Sequence, residues 1–150
     1  MSSQAPDTTE RKNWMGLLAR AKAEHLAALL PDPLPDHSLL RAPEIGAVMV
    51  RGRAGATGAP FNLGEMTVTR CSLRLGNGAV GHAVVQGRDR GHARRAATVD
   101  ALMQTEAASA IRAGVLAPLI EAETAARLIR AEKAAATKVE FFTMVRGEDK

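Results

Sequence analysis

The residues best placed to do chemistry lie in one glycine-rich stretch, Arg51-Gly52-Arg53-Ala54-Gly55-Ala56-Thr57-Gly58. Glycines let backbone N–H groups approach an anion, and arginine and threonine add charge and hydrogen bonds. The spacing is not that of a P-loop, since no Gly-Lys-Ser/Thr follows and no clear helix begins there. It is not a dinucleotide fingerprint either, and a plain loop joining two strands is the competing reading. Arg88 precedes Asp89, which reads as a helix N-cap, so Arg88 stands near a helix N-terminus, where anions are favoured. Arg51, Arg53, Arg88 and Arg146 each adjoin a glycine, which removes bulk and permits close approach. The guanidinium fork suits carboxylate or phosphate. Arg51, Arg53, Thr57, Arg88 and Arg146 are therefore the expected anion or partner contacts. The arginines would form one cluster if the strands they follow lie side by side with aligned ends. Otherwise each is solvated or paired with an acid.

The other reactive types do not assemble into a site. His82 and His92 match no zinc spacing, and Cys71, the single cysteine, has no cysteine partner. His92 falls on an apolar stripe, where a packed, hydrogen-bonded histidine is the usual occupant. No serine sits in a nucleophile elbow, and no Ser-His-Asp set can be assigned. The expectation is no catalytic residue and no metal in this chain. The lone cysteine fits a reducing compartment. The polar opening Met1–Glu10 has no apolar signal core, and no apolar run reaches the roughly 20 residues that span a membrane. A cytoplasmic protein is expected.

The net charge of +4 and pI of about 9.8 raise nucleic acid as a ligand. The basic residues are scattered among acids, however, and aromatic residues are only 3% of the chain, which argues against stacking on single strands. An acidic partner or a small anion fits the charge equally well. Alanine supplies much of the 46% apolar content, so bulky anchors are few and a partner is expected to share in stability.

The elements that must position these residues follow from periodicity. Asp7 and Glu10 read as a capping box opening a helix that carries Trp14, Leu17, Leu18, Ala21 and Ala28. Pro31, Pro33 and Pro35 stop it. Ser38–Arg41 reads as a short strand, Ala42-Pro43-Glu44 as a turn, and Ile45–Arg53 as a second strand. The run Ala47–Val50 suggests burial on both faces of that strand. Met66–Leu75 and Ala79–Gln86 are strands joined by the hairpin signal Gly76-Asn77-Gly78. Asp89 opens a helix with His92, Ala96, Val99, Met103 and Ala107 on one face. Pro118 suits the first turn of a further helix with the stripe Leu119, Ala122, Ala126 and Ile129 and an i,i+4 pair, Glu123–Arg127. Val139–Val145 reads as a last strand, whose neighbours Phe141 and Phe142 point to opposite faces and both need cover. The order predicts one α+β domain over residues 1–150, a mostly antiparallel sheet with helices packed on one face, and a flexible tail of about residues 1–7.

Several segments together resemble a known family. They are Val48–Arg53, Gly55–Gly58, Phe61–Arg70, Gly81-His82, Gln86–Asp89, His92-Ala93, Asp100–Gln104 and Val139–Gly147, with Trp14-Met15 near the start. This pattern resembles the G subunit (PhnG) of the bacterial carbon–phosphorus lyase system, although Val84 stands where an aromatic is expected. The resemblance implies an accessory subunit of a core complex with H, I and J subunits in phosphonate catabolism. It implies that, with an ATPase-like partner, the complex makes ribose 1-methylphosphonate 5-triphosphate and adenine from ATP and methylphosphonate. It implies nucleosidase chemistry on the I subunit and radical cleavage on the J subunit. No cofactor is expected on this chain alone, ATP being a substrate of the complex. A basic nucleic-acid-binding module and an independent small enzyme using His82, His92 or Cys71 are the alternatives.

Overall fold

The computed structural model describes residues 7–139. The expected strand Val139–Val145 beyond its first residue, Arg146, and residues 1–6 of the expected tail lie outside the described residues. Helices α1 (Thr8–Arg20) and α2 (Ala23–Leu29) lead into strand β1 (His37–Arg53). A short 3-10 turn, Ala54–Ala56, connects to β2 (Pro60–Leu75), which returns to β3 (Val80–Gln86). Then come α3 (Arg90–Leu102), α4 (Ala108–Ile111), a π-helical turn (Arg112–Leu116) and α5 (Ala117–Ala136). The sheet is antiparallel in the order β1-β2-β3. The α+β class and the helix-covered sheet are as the periodicity predicts.

Alternation along the strands sets the core. Cys71, Leu73 and Leu75 of β2 and Ala83 and Val85 of β3 point inward and are buried against Ala93, Ala96, Ala97 and Val99 of α3. Gly81 permits the close approach of β3 to α3. A Cβ there would overlap the Ala97 carbonyl oxygen and lie 2.7 Å from the Ala101 nitrogen. The Gly76–Gly78 turn forms as expected, with Gly78 at φ 92° and the Asn77 side chain accepting from the Ala79 N–H at 3.0 Å.

Asp100, fully buried in α3, ties three elements together. Its carboxylate accepts from Arg11 Nη2 at 2.7 Å, Arg11 Nε at 3.1 Å, Trp14 Nε1 at 2.9 Å and the His82 backbone N–H at 2.9 Å. The hydrogen bond from Arg11 to Asp100, aided by their opposite charges, outweighs partial burial and raises the guanidinium pKa above its ordinary value. Gln104 Nε2 donates to the Val80 carbonyl at 2.8 Å. The outer edge of β3 therefore meets side chains of α3 and the turn after it instead of an open ladder.

Four expectations need correction. The first helix breaks at Ala21, whose backbone is extended, so that α2 can turn Leu26 fully into the core. No glycine or proline marks the break, and tertiary packing decides it. Ala42-Pro43-Glu44 is no turn: β1 runs through it, with register shifts at Leu39/Arg41 and Arg41/Glu44. An edge strand with bulges tolerates a proline that lacks an N–H. The run Ala47–Val50 is not covered on both faces, Met49 being 53% exposed, because it lies on the two-stranded ribbon beyond the part of the sheet on which the helices pack. Finally, Asp7 caps α1 through the Thr9 N–H at 3.4 Å, but Glu10 pairs with Arg112 instead of closing the box.

Candidate functional site

Two parts of the chain project from this body. The first is a ribbon of two strands. β3 pairs with β2 only from Val68 to Arg74, so Ile45–Arg53 and Pro60–Thr67 pair mostly with each other. At its tip Arg51 faces Asn62 and Arg53 faces Pro60. Alternation puts both arginines on one face and Phe61 and Leu63 on the other. Leu63 lies across Gly52, where a Cβ would overlap its side chain. The loop is a tight reversal with Gly55 at φ 59° and Ala56 at φ 66°, closed by the Gly58 N–H on the Ala54 carbonyl at 3.0 Å. Thr57 Oγ1 donates to the Gly55 carbonyl at 3.5 Å. The glycine-rich stretch is thus the loop between two strands, exposed and carrying both arginines at its root.

Arg88 does not join them. The Gly87 N–H bonds to the Thr67 carbonyl, so the chain leaves the sheet near Thr67, five residues from Asn62. That is roughly 17 Å along the strand. The single cluster expected from glycine-flanked arginines is therefore split: Arg51, Arg53 and Thr57 share the ribbon tip, and Arg88 stands at the mouth of α3. Asp89 is the N-cap as expected, accepting from the His92 N–H at 2.8 Å.

The remaining reactive groups are tied down or isolated. His92 is buried, with Nε2 2.8 Å from the Leu18 carbonyl oxygen, the packed histidine that its position on the stripe predicts. His82 Nδ1 lies 2.8 Å from Ser72 Oγ on the other side of the sheet. Asp100, the nearby acid, holds the His82 backbone and not its ring, so the three do not form a catalytic relay. Burial raises the Cys71 thiol pKa above its ordinary value, with Arg94 opposing the shift. Among the described residues no three His, Cys, Asp or Glu side chains are grouped to hold a metal. Among the same residues no helix is long and apolar enough to cross a membrane.

The second projection is α5, whose 20 residues reach about 30 Å. Of its expected apolar stripe only Leu119 is buried, while Ala122, Ala126 and Ile129 are exposed. The Glu123–Arg127 pair forms at 3.2 Å, and Glu123 also accepts from Arg20 at 3.1 and 3.2 Å. With Phe61 and Leu63 on the ribbon and Ile120, Leu128 and Ile129 on α5 exposed, the projections carry much of the chain's uncovered apolar surface. Such patches mark interaction sites.

Residues 9–147 match the family described as "Phosphonate metabolism protein PhnG". The chain belongs to the PhnG family. It is 46% identical to "Alpha-D-ribose 1-methylphosphonate 5-triphosphate synthase subunit PhnG" of Rhizobium meliloti (strain 1021), over 99% of this chain and 96% of that one. The family resemblance drawn from the motifs is correct.

For this PhnG-family chain, sequence reasoning missed the Asp100 node. Asp100 opens one of the segments that carry the resemblance, but an aspartate on the buried side of a helix has no local signal for its partners. Arg11, Trp14 and His82 lie 89, 86 and 18 residues away from it. A hint was available in Arg11 and Trp14, three apart on one helix face, beside an acid in the apolar stretch of another helix.

Proposed function

We infer that this chain is an accessory subunit of an alpha-D-ribose 1-methylphosphonate 5-triphosphate synthase, acting in phosphonate catabolism. The observation that carries the reading is the 46% identity, over nearly the full length of both chains, to a protein named as a subunit of that synthase. The partners in this reading are the H, I and J subunits of a carbon–phosphorus lyase core complex and an ATPase-like subunit, in the cytoplasm. Together they convert ATP and methylphosphonate to the ribose triphosphate and adenine. Two features support an assembly role over chemistry on this chain: the uncovered apolar projections, and the engagement of Asp100 and His92 in internal bonds.

Within that role, Arg51, Arg53 and Thr57 at the ribbon tip meet a partner carboxylate or an anion, and Arg88 makes a separate contact. The reading is tested by reconstitution. The chain alone, given ATP and methylphosphonate, should release no adenine, and the complex lacking it should lose activity that its return restores. Steady adenine release by the purified chain, or full activity of the complex without it, would overturn the reading. Arg51→Ala should lower complex affinity or adenine release while the fold stays intact.

A further inference from the structure

Between α1, α2 and the proximal half of α5 runs an open groove of about 500 Å³. Its apolar lining is Leu17, Ala21, Leu119, Ala122 and Ala126. Its polar lining is strongly one-sided: Arg20, Lys22, Arg127 and Arg130 stand against the single carboxylate of Glu123, with His25 beside them. Glu123 is already shared between Arg20 and Arg127, so its charge is spent within the groove. Lys22 and Arg130 have no ion pair among the described residues.

We propose that this groove receives an acidic amphipathic segment of a partner subunit, helical in form, whose apolar stripe lies along α5 and whose carboxylates meet Lys22, Arg127 and Arg130. The proposal rests on the subunit reading above and adds the chemistry of the occupant. Charge complementarity carries it: a cationic rim over an apolar floor matches acids flanking an apolar stripe. A free phosphate would not need the floor. Ala122 and Ala126 are one turn apart and small, which lets another backbone come close to α5. The sequence of α5 fits the same view, since beyond the buried Leu119 its apolar stripe, Ala122, Ala126 and Ile129, is exposed among the described residues.

The experiment uses the full-length chain and its co-expressed partner subunits. Zero-length carbodiimide coupling joins an amine only to a carboxylate that touches it. In the assembled complex, Lys22 should couple to an aspartate or glutamate of a partner chain, read by peptide mass spectrometry. The double reversal Arg127→Glu/Arg130→Glu should weaken assembly on the order of tenfold or more and flatten its salt dependence. The melting of the isolated chain should change only slightly, since both side chains are exposed and the Arg127–Glu123 pair that is lost is a surface pair. Coupling of Lys22 to this chain's own Glu140, Glu148 or Asp149 would overturn the proposal in favour of an internal occupant. Wild-type assembly by the double variant would overturn it, and binding of inorganic tripolyphosphate by the isolated chain, lost in that variant, would identify an anion pocket instead. A wild-type chain that does not assemble at all would remove the subunit reading and this proposal together. A wild-type chain that assembles while the variant is unaffected removes only this one.

Discussion

Leu73 and Leu63 lie on the same strand, Leu73 where β2 is flanked by both β1 and β3 and Leu63 on the two-stranded ribbon, at the register shift near its tip. Leu73 is fully buried, and Leu63 is 62% exposed. The same contrast separates Leu18 of α1, which is 2% exposed, from Leu128 of α5, which is 60% exposed. The residue types do not differ between body and projections. What differs is cover: α3 packs on β2 and β3 and α1 packs on β3, and the ribbon runs on beyond Val68, where burial and pairing with β3 both end. The body also satisfies its buried polar atoms, with no unpartnered buried side-chain polar atom among the described residues. The projections instead present apolar side chains to whatever approaches. A chain built this way divides its sequence between surfaces that stabilise the fold and surfaces that wait for a partner.

The comparison breaks first at Asp100 if the body is not held as described. Asp100→Ala would strand the Arg11 guanidinium, the Trp14 indole N–H and the His82 N–H. Arg11 is partly exposed and can be hydrated, but each N–H left without its acceptor costs about 1–3 kcal/mol, a large share of the roughly 5–15 kcal/mol that stabilises a domain. Urea unfolding of the isolated chain should show a loss of that size. A loss under about 1 kcal/mol would mean that the node is ornamental.

Gly81→Ala should follow, at about 1–3 kcal/mol, the cost of overpacking a filled interior. The upper end applies, because the added methyl meets a backbone carbonyl of α3 that has no rotamer to change. Cys71 contributes less, and only at high pH. Its thiol pKa is raised in the folded chain, so the unfolded chain ionises first as pH climbs. Stability is complete below the ordinary thiol range and falls above it, by at most about 1.4 kcal/mol per pH unit between the two pKa values. Urea midpoints measured across that range should decline, and Cys71→Ala should flatten the decline.

How much of this was legible beforehand depends on the range of each signal. Asp89 as an N-cap, the Asn77 turn, Pro118 at the start of α5 and the packed His92 are local, and the sequence states them within a few residues. The break between α1 and α2 was invisible because nothing at Ala21-Lys22 disfavours helix. Leu26 is buried by tertiary packing, which periodicity does not report. Pro43 misled for the opposite reason: a strong local turn signal was overridden because β1 is an edge strand whose bulges can hold a proline. Arg88 parts from Arg51 and Arg53 because of lateral geometry. Glycine-flanked arginines at strand ends could be read from the sequence, but not that β3 stops near Thr67 while the β1–β2 ribbon continues past it.

The smallest expected effect on stability is the most informative about the projections. Leu63→Asp places a charge on the ribbon where the native side chain is already mostly in water. Surface substitutions of this kind usually change stability by no more than about 0.5 kcal/mol. The isolated chain should therefore unfold as the wild type does. In assembly the same aspartate would be buried against a partner without a counter-charge, and the cost rises to that of an interface hot spot, about 2 kcal/mol or more. Paired measurements, urea unfolding of the chain and titration of it into the partner subunits, separate the two cases. If Leu63→Asp destabilises the isolated chain as much as a core change would, the ribbon packs on its own chain and the contrast between Leu63 and Leu73 disappears. If it leaves both stability and assembly untouched, the ribbon face is idle and the partner contact belongs to α5 alone. Loss of assembly with intact folding is the outcome that a basic-tipped ribbon with one apolar face leads us to expect.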